Sequence, residues 1–331
     1  MCITSITKHL VVGLVLVTLF SCKKSELPEL VVAPYDDLEL VYSVQQGIRF
    51  KEKFALGRNL FYDKSLSSDQ TISCGSCHKQ EYAFSDAGNA FSKGVEGRLG
   101  KRNSPALMNL AWSKSFMVDG GINHLEIMPL APITDSLEMN LSMSELLSRL
   151  NNSSYYKLMF SQLFETDSIT DYHFYKALAV FTSSLNSFDS KYDLHLKGKK
   201  MLSERELSGY LVFKQYCTSC HSGSLFTNQE FSVNKSHPSN NDIGRAKVSG
   251  NTSDKFAFKV PSLRNVALTG PYFHDGSKES LQSVVEHYQG YFKEKNGVSF
   301  SDEESVQLLS FLGSLTDQTF ISNTKYSNPY E

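Results

Sequence analysis

Cys74-Gly75-Ser76-Cys77-His78 and Cys217-Thr218-Ser219-Cys220-His221 are two copies of one arrangement, C-x-x-C-H. Two thiols spaced by two residues sit on one turn, where each can add to a vinyl group of a porphyrin. The histidine that follows is then held under the ring as an axial iron ligand. This order of residues is a c-type haem attachment site, and the chain carries two. Cys74 and Cys77 would bind the first haem c with His78 as its axial ligand. Cys217 and Cys220 would bind the second, with His221 below it. A haem supplies redox chemistry that no side chain has.

The remaining cysteines point to export. Of six in the chain, only Cys2 and Cys22 lie outside the motifs. Lys8 precedes an apolar run from Leu10 to Phe20 that ends in Leu19-Phe20-Ser21-Cys22. The run is short for a membrane span and has the dimensions of a secretory signal. It resembles a bacterial lipoprotein signal, with residues 1–21 removed and Cys22 lipidated. The expectation is an exported, periplasm-facing lipoprotein with a lipid anchor to the membrane. A net charge of −2 over 331 residues argues against nucleic acid as a partner.

The elements that must position the motifs follow from pattern. Residues 22–44, with Pro28 and Pro34, form a tether. From about Gly47 to Tyr62 the period is helical, burying Phe54, Leu56, Leu60 and Phe61. Gly88 to Gly100 is a glycine-rich loop. Ser142-x-x-Glu145, Ser203-x-x-Glu206 and Ser301-x-x-Glu304 are capping boxes that open helices. The first delivers Leu146, Leu147 and Leu150 to a core, and the second Leu207, Leu211 and Phe213. A further helix covers about Asp171 to Leu185. Residues 232–256 are rich in Ser and Asn and form a long surface loop. Few segments alternate with period two, so the fold is mainly α. Beyond the doubled motif, no short-period repeat is evident.

Several blocks resemble the bacterial di-haem cytochrome c peroxidases and their MauG-type relatives, from about Gly57 to Tyr291. They are Leu60-Phe61-Tyr62-Asp63, Arg102-Asn103-Ser104-Pro105, Asp119-Gly120, Glu138-Met139, Lys259-Val260-Pro261-Ser262-Leu263-Arg264-Asn265 and Pro271-Tyr272-Phe273-His274-Asp275-Gly276. The resemblance implies two cytochrome-c-like helical domains, each with one covalent haem c, joined by long irregular loops. Residues 45–195 would hold the peroxidatic haem and 196–322 the electron-transfer haem. It also implies a calcium ion between the haems, with Asn103, Thr269 and Pro271 at the ligand positions. Oxygen-only ligation suits that hard cation. Electrons would come from a small donor protein, a c-type cytochrome or a cupredoxin, and a homodimer is a family expectation.

Departures from the family pattern sharpen the chemistry. Many members cover the peroxidatic haem at rest with a histidine, and the matching position here is Val95, which cannot ligate iron. Glu138 matches the catalytic carboxylate, an acid–base that moves a proton between peroxide oxygens. A glutamine that assists it in the family is matched by Met128. No methionine follows Met201, so the second haem lacks the usual thioether ligand. Tyr288 takes that position, as in the MauG-type relatives. His287 competes but projects about 100° away on a helix, and His274 and His237 are further candidates. The tryptophan that normally precedes Asp-Gly is Val118, and the only tryptophan is Trp112.

Three functions follow from this reading. The leading one is a peroxidase that reduces hydrogen peroxide to water with electrons from the small donor. The second is a MauG-type oxidase acting on side chains of a partner protein, and the third a non-enzymatic di-haem electron carrier or peroxide sensor.

Overall fold

Two short motifs recur where helices must approach closely, Gly57-x-x-Leu60-Phe61 and Gly209-x-x-Val212-Phe213. They mark the helices that lead into the two C-x-x-C-H sites. The computed structural model describes residues 35, 37–38, 40–42, 49–233 and 241–331. The signal segment, Cys22 and His237 lie outside the described residues, as does most of the tether.

The elements in order are α1 (Phe50–Tyr62), α2 (Cys74–Cys77), α3 (Leu130–Thr134), α4 (Met143–Asn152), α5 (Ser154–Phe164) and α6 (Asp171–Ser183). Then come α7 (Lys191–Leu196), α8 (Glu204–Tyr216), α9 (Ala246–Ser249), α10 (Leu281–Asn296), α11 (Asp302–Ser314) and α12 (Gln318–Ser322). The described sheet is two three-residue strands, β1 (Phe231–Val233) and β2 (Ala257–Lys259), paired antiparallel with Ser232 opposite Phe258. The fold is mainly α with long irregular connections, and the tiny sheet closes the neck of the Ser/Asn-rich loop.

Helix α1 packs on α6, and α8 packs on α11. In each pair a glycine allows backbone contact. A Cβ on Gly57 would collide with the carbonyl of Ala177 and stand 2.9 Å from the Phe181 Cβ. A Cβ on Gly209 would collide with the carbonyl of Gln307 and stand 2.9 Å from the Phe311 Cβ. The two crossings are twins. Around the first lies a cluster of Leu56, Leu60, Phe61, Phe84, Phe174 and Phe181, among others. Around the second lies a separate cluster with Val212, Phe213, Phe226, Phe311 and Leu315.

Ser203 and Ser301 form reciprocal capping boxes with Glu206 and Glu304. Ser142 accepts from Glu145 N, but the Glu145 carboxylate turns to Arg149 at 2.9 Å. One expectation fails on α8. Leu207 and Leu211 are exposed, Leu211 by 65 %. The close approach at Gly209 dictates which face turns inward, and Val212 and Phe213 share it.

Past Leu315 the chain returns to the first cluster. Phe320 is buried there, and Gln80 Nε2 donates to the carbonyls of Phe320 and Asn323 at 3.2 and 2.8 Å. The Tyr62 hydroxyl donates to the Tyr326 carbonyl at 2.8 Å. No helix among the described residues is long and apolar enough to cross a membrane.

Candidate haem sites

Ser73 caps the first cysteine turn, its N–H donating to Ser76 Oγ at 3.0 Å. Gly75 lies against the Tyr62 ring, where a side chain would clash, so α1 closes directly over the motif. His78 Nδ1 donates to the Phe84 carbonyl at 2.8 Å, which leaves Nε2 as the ligating nitrogen. Burial lowers the His78 pKa, favouring the neutral imidazole that ligates iron. The Phe84 carbonyl is aimed by a tight turn in which Ala83 and Phe84 have φ of 55° and 60°.

The second site repeats this geometry. Cys217 ends α8, and His221 Nδ1 donates to the Phe226 carbonyl at 3.1 Å, with Phe226 at φ 54°. The turn is anchored from below by Arg264. Its Nε donates to the Ser224 carbonyl at 2.8 Å, and its two terminal nitrogens donate to Asp193 at 2.8 and 2.9 Å. Both side chains are buried, 1 % and 0 % exposed. Burial pushes the Asp193 carboxyl up, but hydrogen bonds and charge from Arg264 outweigh it and hold the pKa below the ordinary range. Tyr35 adds a hydroxyl donor to the same carboxylate.

All four motif cysteines are free thiols, and burial pushes Cys74 and Cys217 up to about 12. Unbridged thiols on one turn, and a histidine with Nδ1 already committed to a carbonyl, fit a haem c at each site. The match extends further than the pentapeptides. The Pro105 carbonyl also bonds His78, and the Pro261 carbonyl His221. Pro105-x-Leu107-x-Asn109 and Pro261-x-Leu263-x-Asn265 are one pattern, as are Phe116-x-x-Asp119-Gly120 and Tyr272-x-x-Asp275-Gly276. Asn109 and Asn265 are left-handed, at φ 54° and 57°. Their side-chain oxygens accept from Ser187 N and Asp317 N, both at 2.8 Å. Phe116 bridges to Ile122 as Tyr272 bridges to Lys278. The sequence reading missed this duplication because it sought short periods, whereas these copies lie about half a chain apart.

The surroundings of the two sites differ. At the first, Val95 is fully buried and its N–H donates to the Glu138 carbonyl at 2.9 Å. Gly94 lies on the Leu137 carbonyl, so the glycine-rich loop is zipped to the Glu138 segment. Burial raises the Glu138 pKa above the ordinary carboxylate range, with the charge of Asp135 second. The Glu138 charge in turn acts on both Cys74 and Cys77. Met128 packs at the edge of the first cluster.

At the second site the neighbour is Tyr288 on α10. Burial pushes its phenol up to about 12, and the next contributions come from Cys220 and Cys217. Its ring meets Phe273 at 6.5 Å. His287 turns edge-on to Phe273 at 5.2 Å. His274 is stacked on Phe258 at 3.9 Å and acts on Asp242. Trp112 is buried in a third small cluster with Leu225, edge-on to Phe188 at 5.0 Å. Val118 instead offers its carbonyl to Lys259 N at 2.7 Å.

A family model for di-haem cytochrome c peroxidases matches residues 51–201. The methylamine utilization protein MauG of Methylophilus methylotrophus is 35 % identical over 80 % of this chain and 82 % of its own. The chain belongs to the di-haem cytochrome c peroxidase family. Cytochrome c551 peroxidase of Nitrosomonas europaea is 33 % identical over 83 % of this chain and 86 % of its own. The crystal structure of a MauG-like protein associated with microbial copper homeostasis superposes with a TM-score of 0.76 at 30 % identity, covering 85 % of this chain and 94 % of that one. Membership makes this chain a peroxidase-type oxidoreductase with two haems c.

Proposed function

We propose that hydrogen peroxide is reduced at the haem held by Cys74, Cys77 and His78, and that electrons enter through the haem held by Cys217, Cys220 and His221. The observation that carries this reading is the division of neighbours. The Glu138 charge acts on the first pair of cysteines, and Tyr288 lies in the field of the second. When bound, the first haem supplies the iron that passes electrons to peroxide. Glu138 takes the proton from the inner peroxide oxygen on a carboxylate oxygen and returns it to the outer one, so that two electrons and two protons yield two waters. Its raised pKa suits both halves of that transfer. Val95, at the position where many family members have a histidine, would offer the iron no ligand. The Phe84 and Pro105 carbonyls hold the His78 ring in one tautomer.

Tyr288 is the proposed axial ligand of the second haem. A phenolate favours ferric iron and lowers the potential relative to thioether ligation. Asn103, Thr269 and Pro271 are proposed to hold calcium. Asn103 Nδ2 is spent on the carbonyls of Asn89 and Ala90 at 3.1 and 3.2 Å, leaving its oxygen for a cation. Gly88 N reaches the Gly270 carbonyl at 2.9 Å, which brings the Thr269–Pro271 segment to the same loop. The proposed division into residues 45–195 and 196–322 is supported by the two separate hydrophobic clusters as far as Leu315, beyond which Phe320 joins the first. Export as a periplasm-facing lipoprotein anchored at Cys22, and homodimerisation, complete the proposal.

The test is steady-state consumption of peroxide by the fully haem-loaded protein with a reduced c-type cytochrome or cupredoxin. Two donor molecules oxidised per peroxide is the expected result. No turnover with any such donor would overturn the reading. The MauG-type oxidase is the second reading, favoured by Tyr288. It predicts a peroxide-induced spectrum that persists without a donor and decays when a protein substrate is added. In Tyr288→Phe, low-temperature EPR should change one of the two haem signals and leave the other alone.

A further inference from the structure

Where the halves meet, three cations converge, and two are accounted for. Arg102 donates to Asp242 at 2.6 and 2.8 Å and to Asp119 at 2.6 Å. Arg245 donates to the carbonyls of Asp119 and Gly120 at 3.0 Å and lies over the Phe231 ring. Lys259 is different. Its ammonium donates to the Ser115 carbonyl at 2.6 Å, and no carboxylate among the described residues stands within ion-pair distance. Burial alone lowers its pKa to about 8. A partly buried cation without a counter-ion is costly, and an anion bound beside it would offset that cost.

Position says which anion. Lys259 stands two residues before Pro261, whose carbonyl bonds His221, as Asn103 stands two residues before Pro105, whose carbonyl bonds His78. Lys259 and Asn103 are therefore twins in the duplicated scaffold. The backbone and side chain of Lys259 both reach into the first half, to Val118 and Ser115. The nearby acids, Asp119 and Asp242, are already taken by Arg102. Each haem c brings two propionate carboxylates, anions that the protein itself does not supply.

We propose that Lys259 is a haem-propionate site: its ammonium binds the carboxylate of a haem where the two halves meet. The proposal rests on the two-haem reading of the motifs. The site lies beside Val118, where the family pattern has tryptophan. A cation bound to a propionate stabilises the reduced haem, which gains an electron, over the oxidised one.

The test is spectroelectrochemical titration of the holoprotein in wild type, Lys259→Met and Lys259→Arg. Haem content, measured separately by the pyridine haemochromogen assay, reports on the two-haem reading and on folding. With two haems retained, the midpoint potential of at least one haem should fall in Lys259→Met and return toward wild type in Lys259→Arg. The wild-type potentials should not depend on added phosphate. Unchanged potentials in Lys259→Met overturn the proposal. So does a wild-type potential that tracks phosphate concentration, which would mark a site for free anions.

Discussion

The two halves share most of their supports, the Arg264–Asp193 anchor of the second excepted, and differ in what stands beside them. Each has a glycine crossing before the cysteines, at Gly57 and Gly209, and each has a left-handed asparagine after the proline, at Asn109 and Asn265. His78 and His221 are each held by a phenylalanine carbonyl. The differences fall at positions that carry no part of this support. Asn103 pairs with Lys259, Val118 with His274, and the Val95–Glu138 zipper has no partner among the described residues of the second half. One supporting scaffold thus occurs twice, and in the proposed function a few side chains outside it give each haem its task.

The strongest way to break the comparison is Glu138→Gln. Peroxide turnover should fall by about 10²–10⁴-fold, with haem content and the Tyr288-side spectrum unchanged. Glu138 has a raised pKa, and in the proposed function it acts first as a base, so wild-type activity should be present above that pKa and be lost as pH falls through it. The acid limb should vanish in the variant. A loss under about tenfold would mean that the first site does not depend on this carboxylate.

Asp193→Ala tests the support peculiar to the second site. It leaves the Arg264 charge buried and uncompensated, at a cost of about 3–5 kcal/mol in denaturant unfolding. The Asp193 pKa is lowered by folding, so its contribution is present above the ordinary aspartate pKa and is lost as pH falls through the depressed value. The difference between wild type and variant should shrink in acid. His221 ligation should fail before His78 ligation. Simultaneous loss would show that the halves unfold as one.

Gly57→Ala and Gly209→Ala address the shared part. Each should cost roughly 1–3 kcal/mol, since the backbones must separate to admit a methyl group. Similar losses sharpen the twin relationship, and a silent change at either position breaks it. The smallest effect is expected at Leu211→Ser, within about 0.5 kcal/mol, because that side chain faces solvent.

Much of this was legible in the residues. C-x-x-C-H is a local pattern whose chemistry forces its spacing, and Ser203 and Ser301 cap helices by contacts within three residues. Leu211 was misread because periodicity finds an apolar stripe but cannot see that Gly209 turns the neighbouring stripe toward Gln307. The Asp193–Arg264 pair joins residues far apart in sequence, so no local pattern announces it. Lys259 lies inside a readable block, but its lack of a counter-ion is visible only once its surroundings are known.

The return of the chain to its first half has a consequence for timing. Gln80 and Tyr62, flanking the first cysteine turn, donate hydrogen bonds to the carbonyls of Phe320, Asn323 and Tyr326. In a chain delivered from its beginning, these partners arrive only after the second haem site has emerged. The contacts that complete the first cysteine turn are therefore the last to form.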